Sequence, residues 1–182
     1  MDALTKDYDL ENLTSDIKSF NLITLPKTSE KQMISFILDL VKEYAVKQKN
    51  PILLFSFEMS TEQFVVKLIV SHSKVKSSNL STQDWKKTLE MAGTLFKAPV
   101  FIDDHPNMTV KDISSKIKRL KKKKKLELII IDNFYLIKSF NHTNNQDKPE
   151  ATSTEDELKK LTKKLKIPII TFYPAKQYEY KI

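Results

Sequence analysis

Leu126-Glu127-Leu128-Ile129-Ile130-Ile131-Asp132 is the stretch that decides the fold. It is almost wholly apolar, has the length of a strand, and is bounded by the lysines of 121–125 on one side and by an aspartate on the other. A strand apolar at successive positions must be covered on both faces, which places it inside a parallel sheet with helices on each side. The predicted class is therefore α/β. In such sheets ligands sit beyond the carboxyl ends of the strands, so Asp132 stands where an acid often faces magnesium and a nucleotide phosphate. A second reading is equally open, in which Asp132 caps the turn into Asn133 and Phe134.

Composition narrows the possibilities. A chain of 182 residues with 40% apolar content buries one good core, and a single domain over 1–182 is expected. With no cysteine there are no disulfides, thiolate zinc sites or cysteine nucleophile, and His72, His105 and His142 lack metal-ligand spacing, so no metal site is predicted. The opening MDALTKDYDLENL is polar and acidic, and no apolar run reaches membrane-spanning length. A cytoplasmic protein with no membrane partner is the expectation. The net charge of +8 favours anionic partners. Gly93 is the only glycine and Arg119 the only arginine. Phosphate-cradling loops need the first residue type and transition-state charge stabilisation often uses the second, so both scarcities count against catalysis.

Working outward, 20–25 (FNLITL), 51–57 (PILLFSF), 99–103 (PVFID) and 167–173 read as four further strands. Helices alternate with them. Met33, Ile34, Ile37, Leu38, Val41 and Ala45 line one face of a helix ending near Asn50. Ser60 and Gln63 form a capping-box pattern before Phe64, Val65, Leu68 and Ile69. A third helix from about Ser81 is expected to bury Trp85, Leu89, Ala92 and Leu95, and Thr109 with Asp112 to cap a fourth through Ile113, Ile117 and Leu120. Residues 138–152 read as a surface loop, and Thr154 with Glu157 as the cap of a last helix. A short helical segment is expected at 9–16. The segment 26–32 (PKTSEKQ), between the first strand and its helix, is where a phosphate loop would lie, and it has no glycine.

Several blocks, taken together, resemble a known family: DLENLTSDIKSFNLI at 9–23, LLFSFEMSTEQFVVKLI at 53–69, FIDDHPNMTVKDISSKIKRLKK at 101–122, LELIIIDNFYLI at 126–137 and DELKKLTKKLKIPIIT at 156–171. They are similar, in order and spacing, to the C-terminal, RecA-like motor domain of bacterial DnaB-type replicative DNA helicases. The resemblance implies a RecA-like P-loop NTPase fold with a mainly parallel five-stranded sheet flanked by helices. It also implies ATP-dependent helicase ancestry. The family's phosphate loop ends in glycine, lysine and threonine, and the matching positions are Glu30, Lys31 and Gln32. By the same resemblance Glu58 matches the catalytic base and Asp132 the acid that supports magnesium. The family's serine-glutamine nucleotide sensor is matched by Tyr173 and Pro174, and the arginine finger has no counterpart.

These departures predict a degenerate ATP site: Glu58 a vestigial base, and Lys31, Gln32 and Asp132 vestigial ligands of ATP and magnesium. No cofactor is expected, with Mg-ATP the expectation if the family activity is retained. A non-catalytic domain acting in DNA replication would bind the replicative helicase, another replication protein, or single-stranded DNA; the alternative is an active or residual helicase ATPase subunit or fragment. For DNA the candidates are Lys116, Lys118, Arg119, Lys121, Lys122, Lys123, Lys124 and Lys125. No aromatic residues are interleaved there, so binding would be weak and directed at phosphates. The opposing reading is a solvated helix end.

Overall fold

A computed structural model describes residues 17, 19, 21–27, 29–73, 82–138 and 151–174. Strand β1 (Leu22–Lys27) is followed by helix α1 (Glu30–Leu40), which runs without a break into a wider π-type stretch (Val41–Lys47). Next come β2 (Ile52–Phe55), α2 (Thr61–Ser73), α3 (Thr82–Lys97) and β3 (Val100–Asp103). The chain continues through α4 (Val110–Lys121), β4 (Leu128–Ile131), a short turn of 3-10 helix (Phe134–Leu136), α5 (Ala151–Leu165) and β5 (Ile169–Pro174).

The described strands form one sheet of five in the order β1-β5-β4-β2-β3, every pair parallel. β4 lies in the middle, as its composition requires, and all four of its residues are fully buried. Alternation along the strands builds two cores. Leu128 and Ile130, with Ile52, Leu54 and Ile170, face Ile37 and Leu40 of α1 and Phe64 and Leu68 of α2. Ile129 and Ile131, with Leu53, Phe55 and Ile169, face Ile113 and Ile117 of α4 and Leu158, Leu161 and Leu165 of α5. Each such side chain contributes about 1.5–3 kcal/mol by leaving water. This is the doubly wound α/β sheet that the apolar strands predicted.

Several expectations need correction. α3 does not bury Leu89, which is 66% exposed, because the helix packs on α2 as an outer layer and needs only a narrow apolar stripe. Thr154 does not cap the last helix; α5 starts at Ala151, two residues after Pro149, and Thr154 is buried inside it. The strands are also displaced by a residue or two, and β1 runs on through Pro26 and Lys27. Residues 9–16 and 139–150, where a helix and a loop were expected, lie outside the described residues, as does the side chain of Trp85. With one glycine in the chain, left-handed backbone falls to Lys49 (φ 60), Asn107 (φ 61) and Lys166 (φ 52), each at the end of a turn or helix.

Candidate functional site

The carboxyl edge of the sheet gathers four polar residues from three strand ends. β4 delivers Asp132, whose N–H donates to the carbonyl of Phe55 (3.1 Å) and so continues the ladder to β2. The Asp132 side chain is fully buried. Its oxygens accept from the N–H groups of Phe57 (2.9 Å) and Glu58 (3.1 Å), in the turn after β2. The Ser56 hydroxyl lies 3.2 Å from Asp132 Oδ2 and 2.8 Å from the Met59 carbonyl, and its one proton serves one of them. Burial pushes the Asp132 carboxyl above the ordinary carboxylate range, and the nearby Glu58 charge adds to this; the two N–H donors pull the other way.

Glu58 is held from two sides. Asn133 Nδ2 donates to Oε1 at 2.9 Å, and the ammonium of Lys27, at the end of β1, pairs with Oε2. Lys27 and Glu58 are only 16% and 20% exposed, so the pair is partly desolvated. The sheet order explains the reach: β5 and β4 lie between β1 and β2, and Lys27 spans the gap along the edge.

The start of α1 is closed by its own residues. Ser29 is the N-cap, its hydroxyl accepting from Gln32 N–H (3.2 Å) and lying 3.3 Å from Gln32 Oε1. Glu30, in the first turn, is ion-paired with Lys67 of α2. Lys31 is exposed and makes no ion pair among the described residues.

Thus Glu58 and Asp132 are brought together as expected, while Lys31 and Gln32 stay on the α1 turn and Lys27 takes the place beside the acids. Sequence reasoning missed Lys27, Ser29 and Asn133. The Ser29-x-x-Gln32 spacing is a capping-box pattern and was readable. No local signal pairs Lys27 with a residue thirty-one positions away.

The basic run does not form one face. Lys116 Nζ binds both oxygens of Asp103 (2.7 Å each), which also accepts from the N–H of His105 (3.2 Å) and meets its ring Nδ1 (2.9 Å). Burial pushes Asp103 up, yet the hydrogen bonds to Lys116 and His105 and the Lys116 charge outweigh it and hold the carboxyl below its ordinary value. Lys121 Nζ donates to the carbonyl of Leu165 (2.6 Å) at the end of α5, and Lys125 pairs with Glu127 (3.1 Å). Lys118, Arg119, Lys122, Lys123 and Lys124 make no ion pair among the described residues. Arg119 and Lys123 join Lys116 and Asp103 in lining a cleft of about 370 Å³ between β3 and α4.

A doubly wound parallel sheet with an acid at the end of its central strand and a second acid after the neighbouring strand defines a RecA-like domain. Residues 4–175 match the family described as the DnaB-like helicase C terminal domain, and the chain belongs to that family. It is 29% identical over 167 residues to the replicative DNA helicase DnaB of Geobacillus stearothermophilus, covering 89% of this chain and 37% of that protein. With the replicative DNA helicase DnaB of Nostoc sp. (strain PCC 7120) it shares 32% over 170 residues, 90% of this chain and 19% of the relative. The chain therefore spans well under half the length of either. Among solved structures, an isolated ATPase domain superposes with a TM-score of 0.76 at 20% identity, covering 90% of this chain and 61% of that one. A DnaB-like replicative helicase, from a structure reported with its interactions with primase, gives 0.74 at 22%, covering 91% and 42%. No helix of the described residues is long and apolar enough to cross a membrane.

Proposed function

We propose that this chain is a DnaB-like helicase domain that serves DNA replication by binding and not by turning over nucleotide. The observation that carries the reading is the Lys27 ammonium on Glu58. In the family the matching glutamate acts on water beside Mg-ATP; here an internal cation neutralises it, and Asn133 fixes its other oxygen. Asp132 is likewise spent on two N–H groups in a buried setting that disfavours its ionised form. Helix N-termini bind phosphate through unpaired N–H groups, but Ser29 caps α1 and the Glu30 carboxylate adds negative charge to its first turn. These residues do not suit Mg-ATP. On this reading Glu58, Lys31, Gln32 and Asp132 are vestigial, and residues 1–182 act as one RecA-like unit whose partner is the replicative helicase, another replication protein or single-stranded DNA.

A second reading, a residual Mg-ATP-dependent subunit or fragment, draws on the retention of Glu58 and Asp132 side by side at the carboxyl edge. Calorimetric titration with Mg-ATP separates the two: the binding reading expects no saturable heat, and the ATPase reading expects micromolar affinity with turnover.

A further inference from the structure

Helices α4 and α5 pack side by side over the same core, and the seam between their outer faces is a second groove, of about 250 Å³, remote from the strand ends. Its floor is aliphatic, formed by the outer edges of Val110 and Leu161, with Ser114 beside them. Its rims are Lys111 on α4 and Lys160 and Lys164 on α5, against the one acid Glu157. Lys118 continues the α4 rim, seven residues or two helical turns after Lys111. The far end is latched where Lys121 donates to the Leu165 carbonyl. From Lys111 to Lys121 the seam is roughly 15 Å long, about three turns of helix.

We propose that this seam docks an acidic, amphipathic peptide helix of a partner protein, with aliphatic side chains seated on Val110 and Leu161 and carboxylates on the lysine rims. Three features select that occupant. The groove is smaller than the roughly 300–1,000 Å³ of small-molecule and cofactor sites, but takes one or two side chains. Its lining has neither an aromatic ring for base stacking nor a guanidinium fork for bidentate phosphate recognition, so a nucleic acid would gain only point charges and would leave the apolar floor uncovered. An aliphatic floor between cationic rims matches the apolar stripe and acidic flanks of an amphipathic helix laid into a groove. Lys160 and Lys164 make no ion pair among the described residues, so their charge is available to a partner. The inference rests on the binding reading only for its setting. It is tested without nucleotide, so its failure leaves the calorimetric result standing.

The probe is a fluorescein-labelled peptide of about three to four turns, with leucine at helical i, i+3, i+4 and i+7 spacing and glutamate elsewhere. A control peptide has the same composition with the leucines scattered, and an oligothymidylate of equal charge is the third ligand. Anisotropy titrations use the whole chain, its K160E/K164E variant, and Ser114→Trp, which fills the groove without changing charge. The amphipathic peptide should bind at least about tenfold tighter than the scattered control and lose about tenfold or more in both variants, while oligothymidylate affinity stays the same in Ser114→Trp. Far-UV circular dichroism checks that the variants are folded. Equal affinity for the two peptides, no loss in either folded variant, or absence of peptide binding at low salt would overturn the proposal. So would an oligonucleotide that outcompetes the peptide and is itself blocked by Ser114→Trp, which would give the seam to nucleic acid.

Discussion

Lys27 and Glu58 meet because β1 overshoots its apolar stretch by two residues and carries the lysine to the edge where β2 delivers the glutamate. The pair is partly buried and has a third member in Asn133, so it should be coupled more strongly than a surface ion pair. In a double-mutant cycle of Lys27→Met and Glu58→Gln, denaturant melts should give a coupling of about 1–2 kcal/mol; additivity would mean that the lysine does not hold the acid. A second pair makes a pH-dependent prediction. Because Asp103 is held below its ordinary pKa, its contribution is present above the unfolded value of about 4 and is lost as pH falls through the lower folded value. Lys116→Met should therefore cost about 2 kcal/mol at neutral pH and much less below about pH 3, read from urea melts at both. Equal losses at the two pH values would show that Lys116 acts through packing alone. Asp132 has the opposite sign: its raised pKa makes the ionised form a cost that grows as pH rises from the unfolded value through the folded one.

At the scale of elements, α4 and its end show what a sequence does and does not disclose. The Thr109–Asp112 capping box was legible because it depends on residues three apart, and both reciprocal bonds are present (3.2 and 2.9 Å). The sheet was legible for a similar reason, since runs such as Leu128–Ile131 admit no other covering than two helical layers. The partners of Lys116, Lys121 and Lys125 were not, because a run of like residues carries no sign of which will find an acid or a carbonyl. Leu89 misleads because a second-layer helix repeats the same spacing as a first-layer one. The consequence for DNA is specific. Single strands should bind weakly and without sequence preference through Lys118, Arg119, Lys122, Lys123 and Lys124, with log affinity falling by about 0.7 per phosphate for each tenfold rise in salt. Replacing Lys122, Lys123 and Lys124 with glutamine should flatten that slope in anisotropy titrations. An unchanged slope would return them to solvent.

For the whole molecule, family membership and loss of the nucleotide site are separate matters. The RecA-like sheet is supported by two cores that lie under and over β4 and owe nothing to bound phosphate. The carboxyl edge is closed by Lys27 and Asn133 acting on Glu58 and by Ser29 acting on the start of α1. Glycine scarcity foretold this closure, since a loop without glycine cannot turn successive N–H groups onto a phosphate; which side chains would close it depended on strand order and lay beyond any local pattern. The most direct test is titration calorimetry of the whole chain with Mg-ATP. No saturable heat is predicted at concentrations up to about a millimolar, where a binding free energy of about −4 kcal/mol would be seen. Micromolar binding, with turnover that disappears in Lys31→Ala and Glu58→Gln, would contradict the loss of the nucleotide site.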